Sequence, residues 1–421
     1  MVGSALLPKP PTADMTAHWR LFLKVTLPLS ALNLINQASR TVMATIGPLL
    51  AVEFSLSASE LGLLAACMFV SYAIAQLPDG VALDVLGPRR VQAAFSLVAA
   101  VGFAVFALAD GLAGFVVARV LLGIGVSAGL MAVLKANTQW FPPAQVASMS
   151  GIAGAIGALG SVLTTTPAQA ALPTLGWRGV LWVLCAMSCA IAVWIYLSVP
   201  DKRRDGPRPA LRAELAVMLA ICRSPVFWRY GPSVAMLAVM NFTYLGLWAG
   251  PWLRDVAGYG GLARANTLLL YTLGTIAGVV LIGAATSRRQ ARGRSTVGMI
   301  LWCNAGLLAA QIGLALRPSG AAVPVLWALF AFFAAGSTPG YVTVGQMFPR
   351  EQMGRVSTAA NTLTLVGAFV LQAVIGAMLD LWPRTANGGW DPRGYSAALA
   401  LSIAIQIIVA ARLLRGRSRS A

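Results

Sequence analysis

The strongest constraint on this chain is a succession of apolar runs, most of them about 20 residues or longer, the length at which an α-helix crosses a hydrocarbon core. Reading the polar interruptions places these runs at 21–50, 57–78, 90–109, 112–138, 145–172, 178–199, 226–254, 261–286, 295–316, 322–347, 355–380 and 394–414. The runs are rich in Leu, Ala and Gly and do not alternate, so they read as helices rather than barrel strands. With 58% hydrophobic and 10% charged residues, most of the 421-residue chain is unsuited to a water-facing surface. The expected fold is an all-α polytopic membrane protein of twelve transmembrane helices.

The net charge of +18 would suggest a nucleic-acid partner in a soluble protein, but its distribution points elsewhere. With the N-terminus in the cytoplasm, 22 of the 31 Lys and Arg residues fall on the inner side and 6 on the outer, leaving three within helices. The positive-inside rule then places both termini in the cytoplasm, with anionic lipid as a neighbour of the basic loops and no nucleic acid. The expected location is a bacterial inner membrane. Five cysteines without metal-type spacing predict neither a disulfide framework nor a metal site, and no cofactor is expected.

The longest polar stretch, 200–225, divides the runs six and six. The domains are accordingly a cytoplasmic segment at 1–20, a six-helix bundle at 21–199, the linker, a second bundle at 226–414 and a basic tail at 415–421. Within the linker, Leu211 to Cys222 has an apolar face flanked by basic residues, as an interfacial amphipathic helix would. A short echo links the halves: FPPAQVASMS from Phe141 recurs as FPREQMGRVS from Phe348, each after the fourth run of its half. Parallel repeats of this kind place a substrate site at their interface near the midplane.

The loop after the second run reads GVALDVLGPRR, with Gly80, Asp84, Gly87, Arg89 and Arg90. A carboxylate at a helix end, a glycine-permitted turn and a basic pair suit an ionic latch that forms and breaks. On these residues, and on the Arg119, Gly123 and Gly125 of the fourth run, the sequence resembles the major facilitator superfamily. The resemblance implies two six-helix bundles around a central site, with Gly80, Asp84, Gly87, Arg89, Arg90 and Arg119 in gating or conformational roles. Two departures stand out: Thr164 and Thr165 occupy the place of the family's antiporter Gly-Pro, and Ser287 replaces the acid of the latch in the second half.

The three basic residues within helices are Arg40, Arg119 and Lys135. An ionised group in hydrocarbon costs about 2.5–3.5 kcal/mol on insertion scales, so it faces a cavity or a partner. At 100° per residue, Asn33, Asn36 and Gln37 lie within about 60° of Arg40, forming one polar stripe. All 13 acidic residues map to loops or helix ends, so the cavity is expected to be electropositive. Arg supplies a planar fork for a carboxylate or phosphate. The first helix resembles those of organic-anion and organophosphate carriers, which place an Arg as at Arg40 and a basic residue before Trp-Phe-Pro as at Lys135. Proton-coupled members often carry acids where this chain has Ser39 and Val126, and the sole histidine, His18, precedes the first run.

From the second half, Asn241, Tyr244 and Trp248 share a helical face and Tyr341 follows in the tenth run, completing the candidate substrate-binding set with Arg40, Gln37, Asn33, Asn36 and Lys135. The expected activity is secondary or facilitative transport of a small organic anion by alternating access. It would take place in a monomer, with a proton, sodium ion or counter-anion as the coupled species. Alternatives are an exporter of drug-like or amphipathic compounds and a transporter-like receptor without turnover. No nucleotide loop or catalytic triad pattern suggests an enzyme.

Overall fold

The computed structural model describes residues 19–200, 211–349, 352–385 and 388–415, which are helical almost throughout. The first half comprises α1 (Leu27–Glu53), α2 (Ala58–Val85), α3 (Gly87–Leu108), α4 (Leu112–Val126), α5 (Gly129–Trp140), α6 (Pro143–Leu163) and α7 (Thr166–Ser198). After α8 (Leu211–Arg223) come α9 (Pro225–Thr243), α10 (Ala249–Asp255), α11 (Gly261–Ala291), α12 (Val297–Ala315), α13 (Ala322–Ala334), α14 (Ser337–Gly345), α15 (Met353–Leu379) and α16 (Pro392–Arg415). Single π-helical turns occupy Phe22–Thr26 and Tyr244–Trp248.

Among the described residues, ten helical spans are long and apolar enough to cross a membrane. The other two expected runs also fold as helices. Helix α1 carries the polar stripe around Arg40, and only Met149–Leu163 of α6 is a continuous apolar stretch. The fourth run is one 29-residue span, Leu112–Trp140, broken at Ser127 and Ala128 between α4 and α5. The tenth is likewise broken between α13 and α14. The segment α7 is two helices meeting at a kink at Gly176, with a φ of +64°, which lies between the fifth and sixth expected runs.

Packing follows the small residues. Helix α3 lies along α4 and α7, α1 against α6, and α11 against α13. The halves meet where α2 packs on α15 and α1 on the Tyr244–Trp248 turn. A Cβ added at Gly62 would stand 2.6 Å from the Gln372 carbonyl oxygen, so the first of these contacts is nearly backbone to backbone.

Polar bonds close one end of this seam. Ser57 and Glu60 form a reciprocal capping box at the start of α2. The two remaining first-turn amides, of Ala58 and Ser59, donate to the Asp380 carboxylate of the other half at 2.9 and 2.8 Å. Arg384 donates to the Leu56 carbonyl, and Arg254 to that of Pro48 at 3.2 Å. Arg254 is itself held by Asp255 at 2.5 Å, whose second oxygen accepts from the Trp390 amide and the Tyr395 hydroxyl. Charged side chains of the second half thus satisfy backbone groups at the helix ends of the first.

At the opposite end, one residue, Leu86, separates α2 from α3, and Gly87 adopts the left-handed φ of +79° that this turn requires.

Candidate functional site

Arg40 lies in the middle of α1, only 8% exposed. Its Nε donates to Asn36 Oδ1 one turn earlier, at 2.9 Å, which fixes the plane of the guanidinium. Three rings enclose the cation: Phe242 at 4.7 Å, Tyr72 at 4.8 Å and Phe69 at 5.5 Å from its carbon. Phe69 and Tyr72 come from α2 and Phe242 from α9, and Phe69 and Phe242 stack at 5.8 Å across the boundary between the halves. Tyr341 from α14 lies within electrostatic range of Arg40, its hydroxyl paired with Thr364 at 2.7 Å. Among the described residues no carboxylate lies within ion-pairing distance of Arg40. Cation–π contacts of this kind are worth about 0.5–2 kcal/mol each, so the three rings together with Asn36 offset much of the cost of the buried charge, and no carboxylate neutralises it.

The remaining sequence candidates divide. Gln37 sits half-buried one turn from Thr41, whose hydroxyl bonds to the Gln37 carbonyl. Asn33 turns away from the site: its amide reaches the Ala153 carbonyl of α6 at 3.5 Å and fills the space over Gly157. It joins α1 to α6. Lys135 is half-buried on α5, whose neighbour Asn137 pairs with Thr26 of the first π turn at 2.8 Å.

Asn241 faces inward with its side-chain oxygen buried and without a hydrogen-bond partner. Tyr244 and Trp248 do not join it. The π turn changes the helical register there, carrying Tyr244 into a cluster with Trp327 and Phe330 at 5.6 and 5.2 Å. Trp248 lies against Trp390 at 6.2 Å. Both are buried core residues, Trp248 also facing Gly62 of the first half.

Arg119 is a brace. It is 1% exposed and donates to the Leu64 carbonyl at 2.9 Å and the Ser39 carbonyl at 2.7 Å, tying α4 to α2 and α1. In the loop motif, Gly80 is exposed and Arg89 lies 4.6 Å from the Tyr196 ring. The Asp84 side chain falls outside the described residues, and Arg90 makes a contact of its own. One acidic residue departs from expectation: Asp79, at the end of α2, is 3% exposed and therefore buried.

Three residues central to this geometry, Phe69, Tyr72 and Phe242, were not candidates from the sequence. The spacing of Phe69 and Tyr72, three apart on α2, is the signal that would have found them.

A family model described as Major Facilitator Superfamily matches residues 29–372. The "Probable sulfoacetate transporter SauU" of Cupriavidus necator is 29% identical over 171 residues, 40% of each chain. The "Hexuronate transporter" of Bacillus subtilis is 26% identical over 194 residues, 46% of each. The chain thus spans less than half the length of these two curated relatives. The "Chloramphenicol resistance protein" of Streptomyces lividans is 29% identical over 361 residues, 83% of this chain and 89% of that one. A bacterial homologue of the human lysosomal transporter Spinster, solved in an inward-facing, occupied conformation, has the same fold, with a TM-score of 0.75, 19% identity and coverage of 94% and 96%.

Proposed function

Because this chain belongs to the Major Facilitator Superfamily, we propose that it carries a small organic anion, a carboxylate or sulfonate with a compact polar or apolar body, across a bacterial inner membrane. It is an integral, multi-pass membrane protein. Twelve spans form two six-helix bundles with both termini in the cytoplasm, and these rock about the Arg40 site.

One observation carries this reading: a guanidinium buried where the halves meet, oriented by Asn36, walled by rings from both halves and lacking a carboxylate partner among the described residues. An anion bound there touches α1, α2, α9 and α14 together, so its binding energy differs between states in which the halves approach or part at that level. That difference is what drives a conformational switch. The relatives named for sulfoacetate and hexuronate transport support the anion class. In this reading the bonded seam at the Glu53–Ser57 end serves as the outer gate. Basic loops meet anionic lipid. Residues Gly80 to Arg90 secure the cytoplasmic ends in the alternate state.

The test is exchange in proteoliposomes with sulfoacetate, galacturonate, a phosphate ester and a neutral sugar as probes. Exchange of the anions but not the sugar supports the reading; exchange of the sugar alone refutes it. The long alignment to the chloramphenicol resistance protein favours a second reading, export of neutral drug-like compounds. Expression conferring chloramphenicol resistance with no anion exchange would select it.

A further inference from the structure

A line of polar side chains leaves the Arg40 site along α2. Tyr72 touches the guanidinium. Gln76 follows one turn later, its side-chain oxygen buried without a partner. Asp79 follows at seven residues from Tyr72, which at 100° per residue returns it to within about 20° of the same face. It lies beyond the apolar span Ala58–Gln76, yet both of its carboxylate oxygens are buried and accept no hydrogen bond.

The polar neighbour of Asp79 is Ser127, at the break between α4 and α5. The Ser127 hydroxyl donates to the Ile124 carbonyl at 2.7 Å, so its one proton is committed to the broken helix end. Turned toward Asp79 instead, that hydroxyl favours the carboxylate and works against the burial that favours the neutral acid, so the two together set the acid's proton affinity. The charged groups on the surrounding elements are Arg89 and Arg90 on α3, Arg119 on α4, Lys135 on α5 and Arg355 on α15. Arg89 lies on the Tyr196 ring, Arg119 is spent on two carbonyls, and Arg90, Lys135 and Arg355 each have an interaction. On α2 itself the next acid is Asp84.

We propose that Asp79 is a proton-binding site linked to the anion site, so that a proton taken from water by the Asp79 carboxylate is bound together with the anion at Arg40. The linkage runs through Tyr72 and Gln76 on one side and the α4–α5 break on the other. Opening the packing around Ser127 rehydrates the acid and returns the proton to water. Burial already pushes this carboxyl up to about 6, where water and cytoplasm exchange protons with it. The inference rests on the anion-transport reading and supplies the coupling ion that this reading leaves open.

The experiment titrates the purified protein with sulfoacetate and galacturonate between about pH 5 and pH 8, recording affinity and proton uptake from weakly buffered solution. Above about pH 6, wild-type Kd should rise about tenfold per pH step, with one proton taken up per anion bound. Asp79→Asn, which mimics the neutral acid, should bind with a flat pH profile and no proton uptake, and Asp79→Glu should restore both. A sloped profile in Asp79→Asn, a flat one in the wild type, or loss of anion binding in Asp79→Asn overturns the proposal. Failure of wild-type protein to bind or exchange any anion overturns the transport reading beneath it, and so separates the two.

Discussion

Replacing Asp380 by Asn weakens the seam between the halves at the Glu53–Ser57 end, at a point where its worth can be estimated. The carboxylate accepts from the Ala58 and Ser59 amides at the positive end of α2. Asn keeps one acceptor oxygen and loses both the charge and the second bond. A helix-end charge contributes about 0.3–1 kcal/mol, and a lost capping bond about 1 kcal/mol. Asp380 is exposed, so water replaces part of this on separation, leaving a net of about 1.4 kcal/mol, or a tenfold change in the ratio of sealed to parted outer ends. The assay is pulsed electron spin resonance in a cysteine-free background, with spin labels at Val52→Cys and Leu381→Cys, two exposed positions flanking the seam. The variant should populate a second, longer distance that is minor in the parent. An unchanged distance distribution would refute the argument that these bonds hold the outer gate.

Four further outcomes follow from the packing. Asp79 is raised from an ordinary 3.8 to about 6, so its neutral form stabilises the fold below 3.8 and that contribution is lost as pH rises through 6. Asp79→Asn should therefore exceed wild-type stability by roughly 2–3 kcal/mol near pH 8 and match it near pH 4, read from thermal unfolding in detergent. Gly123→Ala would press a methyl into Ser71 and the Tyr72 amide, 3.1 Å away, where α2 and α4 cross, costing about 2–3 kcal/mol and lowering the yield of folded protein. Phe242→Ala should weaken anion binding through loss of a wall of the site, by about 0.5–2 kcal/mol. Tyr244→Phe should leave binding within about twofold in the same titration, since its ring packs on Trp327 and Phe330 of the core.

Much of the fold was legible because lipid imposes one length and one backbone solution on every span. The apolar runs and the turn at Gly87 came from local chemistry. The Arg40–Asn36 pair was legible too, because one helical turn fixes it. What an ideal helix of 100° per residue misplaced lay beyond a local irregularity or across a helix contact. The π turn at Tyr244–Trp248 moved two aromatics from the expected site into the core. Asn33 was claimed by the Ala153 carbonyl, a partner 120 residues away. Phe242, adjacent to a named candidate, walls the site by contact with Arg40 and Phe69 of the other half, which no pattern within its own helix encodes. Asp79 looked like a solvated helix end because burial there depends on the α4–α5 break packing against it, which no pattern within α2 encodes.

The central claim is that Arg40 reads the anion, and calorimetric titration of sulfoacetate and galacturonate into Arg40→Gln tests it most directly. Gln keeps a polar, hydrogen-bonding side chain, shorter than Arg and without its charge or bidentate fork, so binding should weaken by at least 100-fold, about 2.7 kcal/mol, while the unfolding temperature holds or rises as a buried charge is removed. Binding at wild-type affinity in that variant, with the fold intact, would contradict the account.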